Sequence, residues 1–280
     1  MTTVAALAAG AMTALVLLRT SSAVLASPIL ERENYRGRRL PTAVGLVLVV
    51  AVVAVDGGRA LLGMAGIGDA ATAPARLLIL AAVVAFGFLG LLDDLLGDAH
   101  DRGLAGHVRA AARGRVTTGF VKLGGGTAVA LVLAGTIVGD RPLRVLVDGA
   151  LIALAANVGN LLDRAPGRTT KWGLLAGAPL LVAAGTDATG VALAVVVGGA
   201  AALLWGDLRE RHMLGDTGAN ALGAALGVAT VLEAPEPTRT VVVACLLALT
   251  LLSELVSFSR LIDATPPLRW FDRLGREGPS

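Results

Sequence analysis

Apolar residues in this chain fall into long blocks separated by short polar stretches. A helix needs about 20 residues to cross the roughly 30 Å hydrocarbon core of a bilayer. On that measure the blocks predict nine spans, near 2–18, 41–57, 76–96, 117–138, 143–161, 173–187, 188–206, 217–233 and 239–259, the sixth and seventh being short. The expected architecture is an all-α, polytopic helical membrane bundle of about nine transmembrane helices. Residues 1–259 are expected to form a single transmembrane domain, followed over 260–280 by a basic amphipathic tail.

Composition narrows the class further. Of the 280 residues 55% are hydrophobic and only 16% charged, which excludes a water-soluble enzyme, a disordered chain and a coiled coil. The single Cys245 excludes a disulfide scaffold. The 36 glycines suit close helix approach in a membrane, within one chain or across a homodimer, as at Gly124–Gly126 and Gly198–Gly199. Lys and Arg divide 19 against 5 over alternate connections if the N-terminus lies outside, which by the positive-inside rule puts the C-terminus in the cytoplasm. The basic balance therefore reads as plasma-membrane topology and an affinity for anionic lipid or phosphate, with no indication of nucleic-acid binding.

Against this apolar background, polar residues gather in three places on the expected cytoplasmic side. Asp93 and Asp94 close the third span; adjacent carboxylates there repel each other and call for a divalent cation or a cationic partner. Asn157, Asn160 and Asp163 lie at i, i+3 and i+6 on one face of the fifth span. Arg164, Arg168 and Lys171 follow as a small cationic loop suited to phosphate. Gly215, Asp216, Thr217 and Gly218 open the eighth span, where an acidic cap between glycines leaves backbone N–H groups for a diphosphate or its metal complex.

These words, in this order, resemble the polyprenyl-phosphate N-acetylhexosamine-1-phosphate transferase family, which includes phospho-N-acetylmuramoyl-pentapeptide transferase. The family carries D-D at a helix end, N-x-x-N-x-x-D, and G-D-x-G-S; here they stand as Asp93-Asp94, Asn157/Asn160/Asp163 and Gly215-Asp216-Thr217-Gly218-Ala219. The segment Arg39-Leu40-Pro41-Thr42-Ala43-Val44-Gly45 is similar to its P-T-x-G-G entry, and Lys122-Leu123-Gly124 to its K-L-L-G. The resemblance covers about residues 35–225.

What it implies is Mg²⁺-dependent transfer (Mn²⁺ in its place) of a sugar-1-phosphate from a nucleotide sugar, UDP-linked by analogy, to polyprenyl phosphate. The reaction would take place at the inner face of the membrane and serve cell-wall, peptidoglycan or other envelope synthesis. Carried over residue by residue, Asp216 is the main metal ligand, with Asp94 or Asp163 contributing, and Asp93 readies the lipid phosphate. Asn157 and Asn160 orient the diphosphate or nucleotide, and Lys122, Arg164 and Arg168 pair with phosphate oxygens. Gly215, Thr217, Gly218 and His212 complete the substrate contacts.

The chain departs from the pattern after Asp163, where Arg164-Ala165-Pro166-Gly167-Arg168 replaces G-L-D-G, and it lacks a His-rich late loop, its only histidines being His100, His107 and His212. It reads as a short, divergent branch. Two other classes fit the composition: a polyprenyl-lipid flippase or transporter, which would place acids near mid-membrane, and an inactive relative acting as an envelope-assembly scaffold. In the tail, Leu268, Phe271 and Leu274 at i, i+3 and i+6 predict a helix lying on the inner leaflet.

Overall fold

The computed structural model describes residues 1–68, 73–97 and 118–276. The basic connection carrying Arg102, Arg109, Arg113 and Arg115, together with Asp98, His100 and His107, lies outside the described residues, as does 277–280.

Helix α1 spans Thr3–Thr20 and is followed by the single turn α2, Ser22–Leu25. A short antiparallel hairpin comes next, β1 (Glu31–Glu33) paired with β2 (Arg39–Pro41), Arg32 opposite Leu40. The remaining long helices are α3 (Gly45–Met64), α4 (Pro74–Leu96), α5 (Thr118–Val138), α6 (Pro142–Leu162), α7 (Arg168–Ala184), α8 (Ala188–Leu208), α9 (Gly215–Glu233) and α10 (Glu236–Leu255). Two short helices, α11 (Phe258–Ala264) and α12 (Pro266–Arg273), end the described chain.

Each apolar block thus forms a helix, and seven of the described helices are long and apolar enough to cross a membrane: α1, α3, α4, α5, α6, α8 and α10. The chain is a helical membrane protein. The blocks at 173–187 and 217–233 fall short of that measure for separate reasons. Helix α7 is only 17 residues long and begins with Arg168 and Lys171 inside its first turns. Helix α9 carries Asp216, Asn220 and Glu233 among many glycines and alanines, which lowers its mean hydropathy; it is packed into the middle of the bundle against other helices.

Small residues let α9 sit there. A Cβ on Gly45 would lie 2.0 Å from the Gly218 nitrogen, one on Gly90 2.3 Å from the Asp216 carbonyl oxygen, and one on Gly223 2.4 Å from the Ala155 oxygen. Helices α3, α4 and α6 therefore touch α9 backbone to backbone, the packing that small side chains permit in membranes. Helix α8 is likewise buried and meets α1 through Gly10 and Gly198. Helix α10 is the opposite case, only 6% buried, and turns a face of Val241, Leu247 and Leu251 outward.

At the end where α4 and α6 finish and α9 begins, loops replace lipid-facing helix. The hairpin turn is built by the Asn34 side chain, which accepts from the Arg36 and Arg38 nitrogens at 2.9 and 3.0 Å. Glu210, 5% exposed, then fastens the hairpin by accepting from Asn34 at 2.8 Å and pairing with Arg36 at 3.0 Å. Arg32 reaches across to the carbonyl of Leu95 at 3.0 Å, capping the last turn of α4 beside Asp93 and Asp94. Trp172, Trp205 and Trp270 all belong to segments at this end. The opposite end holds an ion cluster of its own: fully buried Asp148 accepts from Arg144 at 3.0 Å and from Arg239 at 2.5 Å, joining α6 to α10.

Candidate functional site

Four helices deliver polar side chains to one point. Lys122, near the start of α5, pairs with Asp216 of α9 and stands 3.4 Å from Asp93 of α4. Thr118, one turn earlier on α5, donates to the other Asp93 oxygen at 2.8 Å. Asn160 of α6, with its amide nitrogen turned toward the carboxylate, donates to Asp216 at 3.3 Å and accepts from Lys122 at 2.9 Å. Asp93, Lys122, Asn160 and Asp216, widely separated along the chain, form one hydrogen-bonded cluster at the helix ends.

Asp94 does something different from its neighbour. Its two oxygens accept from the backbone nitrogens of Asp216 and Thr217 at 3.0 and 2.9 Å, and from the Thr217 hydroxyl at 2.6 Å. It is an N-cap supplied by another helix, satisfying donors that α9 cannot satisfy itself. Gly215 makes room for it: its φ is +72°, and a Cβ there would lie 2.8 Å from an Asp94 oxygen. The N–H groups expected to face a diphosphate are taken by Asp94, and Gly218, pressed against Gly45, and Thr217, fully buried, serve packing.

Asp163 follows the last residue of α6 as its C-cap. Burial, and then the carboxylates of Asp207, Asp216 and Asp94, push its carboxyl well above the ordinary pKa, against the Thr169 hydroxyl. It also lines a polar cleft of about 160 Å³ with Arg164, Glu210, His212 and the hairpin residues Glu33, Asn34 and Tyr35. Arg164 is exposed there. His212 is 6% exposed, lies against Gly206, and has neither ring nitrogen hydrogen-bonded; burial, then Arg211, push its pKa down to about 4. It is a neutral imidazole near neutral pH.

Three expected ligand residues lie elsewhere. Asn157 points to α10, donating to Thr250 at 3.2 Å, so the expected polar stripe splits at its first member. Arg168 is 3% exposed and held in a two-bond fork by Asp272 of α12, at 2.7 and 3.0 Å, with Ser259 on its third nitrogen at 3.0 Å. Lys171 donates to the carbonyls of Phe271, Asp272 and Leu274, capping the end of α12. Two of the three cations read as a phosphate site, Arg168 and Lys171, are thus taken up by the chain's own C-terminal segment, and Arg164 alone stays exposed at the cleft.

That docking also revises the tail. Leu268 faces an apolar cavity and Phe271 packs edge-on against Trp172 at 5.1 Å, so two of the three residues expected to lie on lipid are turned toward the protein, while Leu274 is 49% and Trp270 68% exposed. The apolar cavity, about 460 Å³, runs between α6, α7, α9 and α10 from Thr230 to Leu268, with Phe258 and Ile262 of α11 at the same end.

The residues that sequence reasoning missed are Asp272, Glu210 and Asp207, whose side chain accepts from the Gly167 nitrogen at 3.0 Å. Asp272 carried a signal: at 100° per residue it falls on the same side of α12 as Leu268, an acid on an otherwise apolar face.

Carboxylate oxygens such as those of Asp93, Asp163 and Asp216 are the donor type that Mg²⁺ takes. Among the described residues, however, no group of three or more His, Cys, Asp or Glu is spaced to hold a metal ion. Lys122 occupies the position between Asp93 and Asp216 and supplies positive charge there. The donor chemistry fits; Asp93 and Asp216 are drawn in around an ammonium.

Comparison with protein-family models gives no match, and no curated protein matches the chain.

Proposed function

We propose that the chain is a divergent polyprenyl-phosphate sugar-1-phosphate transferase, with nine membrane helices and its site on the cytoplasmic face of the plasma membrane. The observation that carries this reading is the joining of Asp93, Lys122, Asn160 and Asp216 in one hydrogen-bonded cluster. These positions come from four separate words of the resemblance, and nothing in their sequence spacing requires them to meet.

Phosphoryl transfer asks little of a protein beyond alignment and charge neutralisation. Asp216 and Asp163 would hold Mg²⁺, which when bound neutralises the diphosphate of a nucleotide sugar. Lys122 is the cation that a phosphate group would draw toward itself, and Asn160 holds Lys122 and Asp216 in register. Asp93, fixed by Thr118, accepts a proton from or positions the lipid phosphate. Asp94 acts through the first turn of α9. The polar cleft beside Asp163 is the place for the nucleotide end, and the apolar cavity beside α6 and α9 for the prenyl tail.

A relay running through mid-membrane is disfavoured as an alternative, because this cluster sits at the helix ends. A scaffold would have no need to keep Asp93 and Asp216 around one lysine.

The test is direct. Full-length protein in detergent, given Mg²⁺, undecaprenyl phosphate and a panel of nucleotide sugars, should release a nucleoside monophosphate with at least one donor. Folded protein that releases none with any donor overturns the reading.

A further inference from the structure

The C-terminal helices hold a wall of the polar cleft where the chain departs from the resemblance. Residues 163–166 line the cleft there, and several anchors of the segment that follows lead to 259–276. Arg168 is forked onto Asp272 and touches Ser259. Arg276 donates through its Nε to the Pro166 carbonyl at 2.9 Å and pairs with the same Asp272 at 2.7 Å. Lys171 closes the end of α12 by donating to three carbonyls of its last turn, those of Phe271, Asp272 and Leu274, and Trp172 meets Phe271. Asp272, 2% exposed, is the only acid among these groups, so one carboxylate gathers two guanidiniums whose backbones flank the loop.

The geometry is specific. Gly167 takes φ +67°, wedged against Leu208 and Leu204, and its nitrogen is fixed by Asp207. The backbone from Pro166 to Lys171 is therefore gripped from α8 on one side and from α12 on the other, with the cleft-lining residues Asp163 and Arg164 just upstream. Removing Asp272 would leave Arg168 buried without its carboxylate and facing the half-buried Arg276, which costs far more than the pair contributes.

We infer that α11 and α12 form a strap that sets the cleft wall at residues 163–166, and that Asp272 is its positioning residue. The strap acts on the nucleotide end of the site and leaves the Asp93–Lys122–Asp216 cluster in place. The inference rests on the transferase reading only for its kinetic arm.

The experiment uses full-length protein in detergent and compares wild type with Asp272→Asn and with the milder Arg168→Lys, which keeps the charge and loses the fork. Amide hydrogen exchange over 163–171 should accelerate by about tenfold or more in Asp272→Asn, and less in Arg168→Lys, with 188–208 unchanged. In turnover, the KM for the nucleotide sugar should rise about tenfold while the KM for undecaprenyl phosphate stays put, a split that a general loss of folded protein would not produce. Unchanged exchange at 163–171 in both variants overturns the strap. Faster exchange with both KM values unchanged overturns the positioning role. If Asp272→Asn does not fold, Arg168→Lys carries both measurements. Wild-type protein that never turns over removes the transferase reading and leaves the exchange result to decide the strap.

Discussion

Asp94 accepts two hydrogen bonds from Thr217, one from its backbone nitrogen at 2.9 Å and one from its hydroxyl at 2.6 Å, while Asp93, next in the chain, faces Lys122. Two adjacent carboxylates at one helix end thus have separate duties, and substitution should separate them. Asp94→Ala strips the first turn of α9 of its cap and should lower stability by about 1–2 kcal/mol, seen as an earlier thermal transition in detergent. Asp94→Asn should fall between, since it keeps one acceptor oxygen.

Asp93→Asn and Asp216→Asn should each reduce nucleoside monophosphate release by at least about a hundredfold with expression and melting near those of wild type. If both retain near-wild-type rates, the chemistry does not reside in this cluster.

Lys122→Met leaves Asp93 and Asp216 facing each other without a cation. The expected outcome is loss of turnover together with a lower melting temperature, in contrast to the two Asp→Asn variants, which relieve charge. Combining Lys122→Met with Asp216→Asn should restore much of the lost melting temperature and none of the activity; strict additivity of the two changes would contradict the contact.

Asn157 and Asn160 offer a paired test on one helix. Asn157 bonds Thr250 and Asn160 bonds Asp216 and Lys122. Asn157→Ala should keep turnover within about threefold of wild type and cost roughly 1 kcal/mol of stability. Asn160→Ala should cost turnover heavily, and equal effects at both positions would dissolve the distinction.

Acid should release the C-terminal strap. Burial alone would raise the Asp272 carboxyl, but the Arg168 hydrogen bonds and charge, with Arg276, outweigh it and hold the pKa below the ordinary value. A carboxyl depressed in the folded state contributes its stabilisation above the unfolded pKa and loses it as pH falls through the lower, folded value. Tryptophan fluorescence, read in a Trp205→Phe, Trp270→Phe background so that it reports Trp172 against Phe271, should therefore change below the normal carboxylate range and be flat at higher pH. Asp272→Asn should show the released signal at every pH.

Much of this was legible because the chain is so apolar. Each block long enough to span gave a helix, and an acid, a lysine or an amide inside such a block has few neighbours able to tolerate it, which is why Asp93, Lys122, Asn160 and Asp216 stood out. Asn157 shared the face and the residue type of Asn160, and only the position of α10 separates them. The cationic loop misled for a related reason. Arg168 and Lys171 look like phosphate ligands when their partner is unknown, and that partner, Asp272, lies about a hundred residues away on the inward face of a helix whose outward residues include Arg269 and Arg273. The hairpin at 31–41 was invisible in the hydrophobic pattern, since it is too short for a period and is held by partners distant in sequence, Glu210 and the Leu95 carbonyl.

Gly90 carries no charge and touches no substrate in any reading, yet a single methyl group there would strike the carbonyl of Asp216. Helix α4 would have to lean away from α9, and Asp93 and Asp94 would travel with it. The proximity of the charges is set by a hydrogen atom where any other residue has carbon. A chain of this design could fall silent with every acid and every lysine still in its place, so an intact set of motifs and an intact site are separate properties.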